Sequence, residues 1–388
     1  MIPYGKQTIS QADIDAVVDA LSSDFITQGP KVGEFEQAVA NKVGAAFGVA
    51  ANSATSSLHL ACLALELSAG KRLWTSPNTF VASANCGLYC GAEVDFVDID
   101  PSTYNLCPKK LEEKMIAAEH VNQLPDVLVA VHMCGQSCDM AAIGRLAKQY
   151  NFRVIEDASH AIGGTYQGGY VGNCRYSDIT VFSFHPVKIV TTAEGGMAVT
   201  NDAELARAME NLRSHGITRD PAELKDVDQG AWYYEQHALG FNYRMTDLQA
   251  ALGVSQLTRL DEFVERRNQL AQRYNEKLTS LALTTPTLLT DCKSAWHLYV
   301  IQLEDPSCRR RVFDAMREQG IGVHVHYIPV HTQPYYQALG FDWGQFPVAE
   351  AYYHAALSLP LFFDMTEDEQ DQVVAALSDA ISSALNIS

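Results

Sequence analysis

The first two thirds of the chain alternate between two hydrophobic rhythms. Apolar residues recur at helical spacing through Ile14–Leu21 and again through Val32–Val43, where Phe35, Val39 and Val43 share one face. Helical spacing returns over Thr55–Leu67, with Leu58, Cys62 and Leu65 aligned, and over Phe80–Cys90 and Met140–Tyr150. Between these lie short apolar runs of strand length: Phe47–Ala51, Arg72–Ser76, Glu93–Val97, Val127–Val131, Arg153–Glu156, Ile179–Phe184 and Met197–Thr200. Alternating with helices, they predict βαβ units and an α/β fold whose sheet is mainly parallel and covered on both sides.

Near Met245 the rhythm changes. Thr246-Asp247-Leu248-Gln249 reads as a capping box. The pattern behind it predicts one long helix to about Leu278, striped by Leu252, Leu257, Leu260, Val264 and Leu270. Further on, Leu298–Leu303 and Gly322–Tyr327 read as strands, and Arg309–Gln319 and Glu367–Leu385 as helices. The expected division is a large domain with an N-terminal arm over residues 1–245, then a connecting helix and smaller C-terminal α/β domain over 246–388. The charged, aperiodic segment Asp220–Gly230 reads as a surface excursion.

Composition narrows the partners. With 28 basic and 46 acidic residues among 388, the formal charge is −18, which disfavours nucleic acid and anionic membrane surfaces. A small anion is not excluded, since a few local donors hold one phosphate. No stretch approaches the roughly 18 apolar residues that cross a bilayer. Met1–Ser10 lacks the charged-then-apolar build of a signal peptide. Nine scattered cysteines do not form a disulfide framework and read as reduced thiols, so a cytoplasmic location is expected.

The common nucleotide loops, G-x-G-x-x-G after a strand and G-x-x-x-x-G-K-[ST], are absent, as are H-E-x-x-H and G-x-S-x-G. Cys86/Cys90 and Cys134/Cys138 are spaced i, i+4, unlike the C-x2-C of zinc sites, and no metal is expected.

Three segments carry chemistry together. In Ala51–Leu58 (ANSATSSL) a strand ends in a small-residue turn and a helix opens at once. The N–H groups of Ala54, Thr55 and Ser56 then stand at a positive helix terminus, where a phosphate can bind, and Thr55 adds a hydroxyl. The same pattern also describes an ordinary N-cap. In Arg153–Gly164, Asp157 ends a buried strand at the edge where α/β sheets bind ligands, with His160 three residues on; an Asp there is also a common cap. In Asp178–Gly196 a strand delivers Ser183, His185 and Lys188 to the same edge, in a loop fixed by Pro186. A lysine held among Phe182, Phe184, Val187, Ile189 and Val190 is a Schiff-base candidate. Phosphate cradle, strand-end Asp and loop lysine are together what pyridoxal 5'-phosphate requires, with Phe80 of SPNTFVAS placed to cover a ring face.

Over nearly its whole length the chain resembles the DegT/DnrJ/EryC1/StrS sugar-nucleotide aminotransferases. The resemblance rests on FITQGPKVGEFE, NSATSSLHLA, TSPNTFVASAN, VDFVDIDPSTYN, VHMCGQSCDM, VIEDASHAIGGTYQG, FSFHPVKIVTTAEGGMAVTN, LRSHGI and LGFNYRMTDLQAALG. It implies the fold-type I aminotransferase fold and pyridoxal phosphate as cofactor. Lys188 would hold the cofactor and move the proton, Asp157 pair with the ring nitrogen and His160 lie near the ring hydroxyl. Ala54, Thr55 and Ser183 would bind the phosphate, and Asn242 would reach the phosphate of a partner subunit, making the active unit a homodimer. Tyr4, Asp24, Phe25, Ile26, Thr27, His324, Val325, His326 and Tyr327 correspond to substrate-contacting segments. Lys188-Ile189 followed by Thr191–Gly196, together with ASHA at 158–161, is most similar to the pseudaminic acid branch. That branch implies L-glutamate as donor and a UDP-linked 4-ketosugar as acceptor; another C4 or C3 sugar aminotransferase is the alternative.

Overall fold

The structure, a computed structural model, describes residues 1–226 and 228–385. Seven strands form its main sheet: β1 Phe47–Ala51, β2 Arg72–Thr75, β3 Glu93–Phe96, β4 Val127–Val131, β5 Arg153–Asp157, β6 Ile179–Ser183 and β7 Gly196–Thr200. Their order is β1-β7-β6-β5-β4-β2-β3. The β3-β2-β4-β5-β6 block is parallel, and β7 runs antiparallel to both β6 and β1. A strand buried on both faces shows the same apolar run in either direction, so the reversal left no mark on the pattern.

The helices are α1 Gln11–Leu21, α2 Pro30–Val43, α3 Ala54–Ala64, α4 Ala82–Tyr89, α5 Pro108–Glu119, α6 Met140–Tyr150, α7 Ala203–Arg213, α8 Asp247–Leu257 and α9 Leu260–Lys277. Two differ from expectation in length. α3 stops at Ala64 rather than Leu67, because Glu66 enters the left-handed region at φ 60°. The long connecting helix is two helices. At the break, the Thr258 hydroxyl donates back to the Ser255 carbonyl (2.6 Å), and Arg259 turns onto the buried Asp13 carboxylate (2.6 Å). Asp13 also accepts from Ser255 (2.6 Å) and Gln256 (2.8 Å), which ties α1 to α8. α5 and α7 lie outside the expected elements; α5 buries only Leu111, Met115 and Ala118 amid charged residues.

A second, antiparallel sheet of β8 Leu283–Thr284, β9 Tyr299–Leu303 and β10 Ala356–Leu359 has β9 in the middle. It packs with Arg309–Glu318 and Glu367–Leu385 around Tyr299, Ile301, Val312, Leu357 and Leu377. The expected strand Gly322–Tyr327 is not one. Gly322 N–H bonds the Ile2 carbonyl (2.7 Å), and only His324 bridges to Ser358, so the segment's hydrogen bonds are split between two neighbours. Ile2 is buried in this second core, and Leu361 N–H bonds the Tyr4 carbonyl (3.0 Å), which fixes Tyr4 beside the site. Asp220–Gly230 is mostly exposed turn, with Val227 outside the described residues.

Register converts topology into a site. Ala51, Gly196 and Ser183 stand in one row across β1, β7 and β6, and Val131, Asp157 and Val181 in another across β4, β5 and β6. The ends of β1, β4, β5 and β6 therefore meet at one sheet edge, each followed by a candidate residue or the helix that carries one.

Candidate active site

A cleft of about 400 Å³ opens at that edge. Its floor on one side is the start of α3. Ser53 is extended and caps the helix, its hydroxyl accepting from Ser56 N–H (3.1 Å). Ser56 N–H is thus committed, while the N–H groups of Ala54 and Thr55 remain at the helix terminus, where an anion is favoured. Gly196 makes the approach of β7 possible. A Cβ there would lie 2.3 Å from the Ser53 carbonyl oxygen and 2.5 Å from Ala54 N. Ser183, paired with Gly196, adds a hydroxyl from the adjoining strand.

Asp157 is the last residue of β5 and is buried. The Ser83 hydroxyl donates to its Oδ2 (2.6 Å) and Ser159 N–H to its Oδ1 (3.1 Å), so the carboxyl group is fixed in direction where it lines the cleft.

Lys188 stands in the loop after β6. Thr191 Oγ1 and Thr192 N–H both bond the Phe184 carbonyl (3.0 and 2.9 Å), and Lys188 N–H bonds that of His185 (2.9 Å). Phe184, Ile189 and Val190 anchor the loop in the core. Lys188 opens onto the cleft and is otherwise surrounded by protein. This desolvation brings its amine down to about 8, against a smaller upward pull from Asp157. An amine in that range keeps a free-base fraction near physiological pH far larger than an ordinary lysine does, as a nucleophile or proton carrier requires.

His160 lies beside it. Its Nε2 meets the Tyr327 hydroxyl at 3.2 Å, and its buried Nδ1 has no partner among the described residues. Burial, then the nearby Lys188 and His326, push His160 well below the usual histidine range, so the ring is neutral. His326 is pushed down to about 3, chiefly by burial, with Ser358 at 2.8 Å from Nδ1. Tyr4 packs on His326 with ring centroids 5.5 Å apart, and Phe80 faces Tyr327 across the mouth at 6.2 Å.

Of the residues expected at the site, Lys188, Asp157, His160, Ala54, Thr55, Ser183, Phe80, Tyr4, His326 and Tyr327 line this one cleft. Asp24, Phe25, Ile26, Thr27, Asn242, His324 and Val325 do not. His324 stacks on His326 at 4.5 Å from outside. Asp24–Thr27 and Asn242 are exposed and lie near one another: Asp247 N–H bonds the Thr27 carbonyl (2.9 Å), and Gln28 and Arg244 share a surface pocket. Sequence reasoning missed His297, whose Nε2 is 3.4 Å from Lys188 Nζ, and Ser83 behind Asp157. His297 sits in the bend just before β9 and Ser83 in α4, and only the fold brings them to the edge.

The family model for DegT/DnrJ/EryC1/StrS aminotransferases matches residues 7–378, and the chain belongs to that family. It is 40% identical to the spore coat polysaccharide biosynthesis protein SpsC of Bacillus subtilis, over 99% of this chain and 98% of that one. It is 39% identical to the UDP-4-amino-4,6-dideoxy-N-acetyl-beta-L-altrosamine transaminase of Campylobacter jejuni, over 94% and 93% of the two chains. Among solved structures it is similar to Helicobacter pylori PseC, an aminotransferase involved in the biosynthesis of pseudoaminic acid. The TM-score there is 0.89 at 30% identity, over 98% and 99% of the chains. The chain is thus a nucleotide-sugar aminotransferase, and its cofactor is pyridoxal 5'-phosphate. The cleft suits that group. It offers free helix N–H groups and a hydroxyl for a phosphate, a fixed carboxylate for a protonated ring nitrogen, a lysine whose amine burial has brought down to about 8 for an aldehyde, and a buried His160 nitrogen with no partner among the described residues. No helix among the described residues is long and apolar enough to cross a membrane.

Proposed function

We propose that this chain moves the amino group of L-glutamate to C4 of UDP-2-acetamido-2,6-dideoxy-β-L-arabino-hexos-4-ulose, giving UDP-4-amino-4,6-dideoxy-N-acetyl-β-L-altrosamine. The observation that carries the chemistry is the meeting of Lys188, Asp157 and the α3 N-terminus in one cleft. The choice of sugar is supported by 39% identity to the Campylobacter transaminase of that name.

Pyridoxal phosphate, when bound, supplies an electron sink for the pair released as a C–H bond beside nitrogen breaks. The chain's own residues do the rest. Ala54 and Thr55 N–H and the Ser183 hydroxyl hold a phosphate. Asp157, clamped by Ser83 and Ser159, keeps a ring nitrogen protonated. Lys188 takes a proton at one carbon and returns it at another, a general acid–base step worth roughly 10²–10⁴-fold. Phe80 and Tyr327 face each other across the mouth. Glutamate gives up nitrogen and leaves as 2-oxoglutarate before the ketosugar enters, a ping-pong order.

Two chains would make one complete site. Asp24–Thr27 and Asn242 are exposed and outside their own cleft, and the residues next to them, Gln28 and Arg244, line one surface pocket, which supports delivery to a partner's cleft in a homodimer. Mixing inactive Lys188→Ala and Asn242→Ala subunits tests this. Shared sites predict recovery of about a quarter of wild-type activity through mixed dimers; no recovery at all removes the shared-site reading.

Product identification decides the sugar. The altrosamine nucleotide should form from glutamate and the β-L-arabino ketosugar, faster than from other UDP- or dTDP-ketosugars. Preference for a different ketosugar would replace the assignment with another C4 or C3 aminotransferase, a reading the 40% identity to SpsC keeps in play.

A further inference from the structure

His297 belongs to none of the motifs around Lys188, yet its ring is the one that reaches the lysine, Nε2 to Nζ at 3.4 Å. The ring is buried and packs on His160 with centroids 4.4 Å apart, and its Nδ1 has no partner among the described residues. The backbone on either side of it is held from several directions. The buried Arg267 of α9 donates to the carbonyls of Trp296 (3.0 Å) and Leu361 (3.0 Å) and more distantly to that of His297 (3.5 Å). Ala295 and Leu298 N–H groups bond the carbonyls of Gly135 (2.9 Å) and Cys134 (3.2 Å). Gly135, at φ 110°, lets this turn close, since a Cβ there would lie 2.7 Å from Trp296 N and 3.0 Å from His297 N. Trp296 itself sits at φ 48°, a left-handed conformation that a bulky residue keeps only when its surroundings dictate it. Three parts of the chain thus combine to present one imidazole to one amine.

We infer that His297 is a positioning residue for Lys188, accepting a hydrogen bond from the lysine amine and holding its direction whenever the amine is free of the cofactor. The inference rests on Lys188 being the reactive lysine. Burial first, and then the neighbouring ionisable groups Lys188, His160, Arg267 and His326, push His297 well below the usual histidine range, so the imidazole is neutral. A neutral ring takes the amine's hydrogen bond without competing for its proton. It also spares the lysine a search among rotamers between proton transfers.

The test uses the cofactor-free protein and the holoenzyme, with His297→Phe and His297→Gln; Gln places an amide near the Nε2 position and Phe only fills space. In the cofactor-free protein, competitive acylation of Lys188 across pH, read by peptide mass spectrometry, gives the amine's titration midpoint. Loss of an acceptor disfavours the ammonium form, so His297→Phe should lower the midpoint by about half a unit or more, with Gln closer to wild type. In the holoenzyme, Phe should lower kcat about tenfold with KM for glutamate within about twofold, and Gln should recover most of the loss. An unshifted midpoint, or Phe and Gln variants that behave alike, overturns the inference. If the Phe variant does not fold, Gln is compared with His297→Asn, whose amide mimics only Nδ1; equal behaviour of those two overturns it as well. Borohydride fixation of the cofactor locates the reactive lysine independently. Fixation elsewhere than Lys188 would refute the underlying reading, whatever the midpoints show.

Discussion

Gly196→Ala is the sharpest probe of the phosphate cradle, because the change is one methyl group placed against backbone. The added Cβ would stand 2.3 Å from the Ser53 carbonyl oxygen, 2.4 Å from its carbon and 2.5 Å from Ala54 N. Ordinary contact begins near 3.4 Å, so the start of α3 must retreat by about 1 Å. A retreat of that size stretches an N–H···O bond from about 2.9 Å to about 3.9 Å, beyond hydrogen-bonding distance. Two N–H groups are affected, those of Ala54 and Thr55. A hydrogen bond to a charged group is worth about 1.5 kcal/mol at the low end, so the loss is about 3 kcal/mol, or roughly 100- to 200-fold in affinity. The assay is absorbance titration of the cofactor-free protein with pyridoxal phosphate and, separately, with pyridoxal. Pyridoxal lacks the phosphate, and its affinity should change by less than about threefold. Overpacking strain of about 1–3 kcal/mol will also lower thermal stability, so both titrations are run well below the variant's Tm. An equal loss for the two ligands would refute the reasoning, for it would show that the phosphate does not rest on α3.

Lys188→Ala should lower turnover by about 10³-fold or more while leaving the circular dichroism spectrum and Tm near wild type, since the side chain caps no core; a normal glutamate half-reaction in stopped flow would end its assignment. Asp157→Asn lets the amide oxygen still accept from Ser159 N–H, turns the Ser83 contact into one the amide donates, and removes the charge. It should retain cofactor and lose about 10²–10³-fold in kcat, and unchanged kcat would contradict the ring-nitrogen role. The pH dependence of cofactor capture follows from the sign of the Lys188 shift. Burial lowers the amine from 10.5 to about 8, so the free base that attacks the aldehyde dominates above pH 8. The capture rate should therefore rise through a midpoint near 8 and level off; a midpoint near 10.5 would mean the amine is solvated.

Much of this was legible because strand ends and loop residues carry their own signals. β1, β4 and the last helix were readable to the residue, and Asp157 and Lys188 were placed at one edge from the positions of β5 and β6 alone. What failed to show has physical causes. The antiparallel β7 looks like its parallel neighbours in sequence. The break between α8 and α9 depends on Arg259 finding Asp13, 246 residues away in the chain. The would-be strand at Gly322–Tyr327 has strand-like residues, but its partners are an N-terminal arm and a single bridge, and neither is local. His297 was invisible for the same reason. Its site is assembled by Arg267, Gly135 and Trp296, and spacing along the chain says nothing of their meeting.

The charge of −18 takes on a specific meaning at the cleft. Among the residues lining it, Lys188 is the one lysine or arginine, set against Asp157 and Glu194, and three of the four lining histidines, His160, His297 and His326, are held neutral by burial. Formal charge on this chain therefore does not draw a cofactor phosphate or a nucleotide diphosphate into the site. Two kinds of attraction remain. One is the partial positive charge of α3, concentrated at N–H groups that Gly196 leaves accessible. In the proposed homodimer the other would come from the second copy, where the exposed Asn242 lies two residues from the half-buried Arg244 on the surface that also carries Gln28. A site poor in its own cations suits the chemistry. Guanidinium groups next to Lys188 would favour its neutral form but would also compete with the ring nitrogen for Asp157. On the proposed reading, helix N–H groups would bind the phosphate away from that carboxylate and leave its charge to the ring.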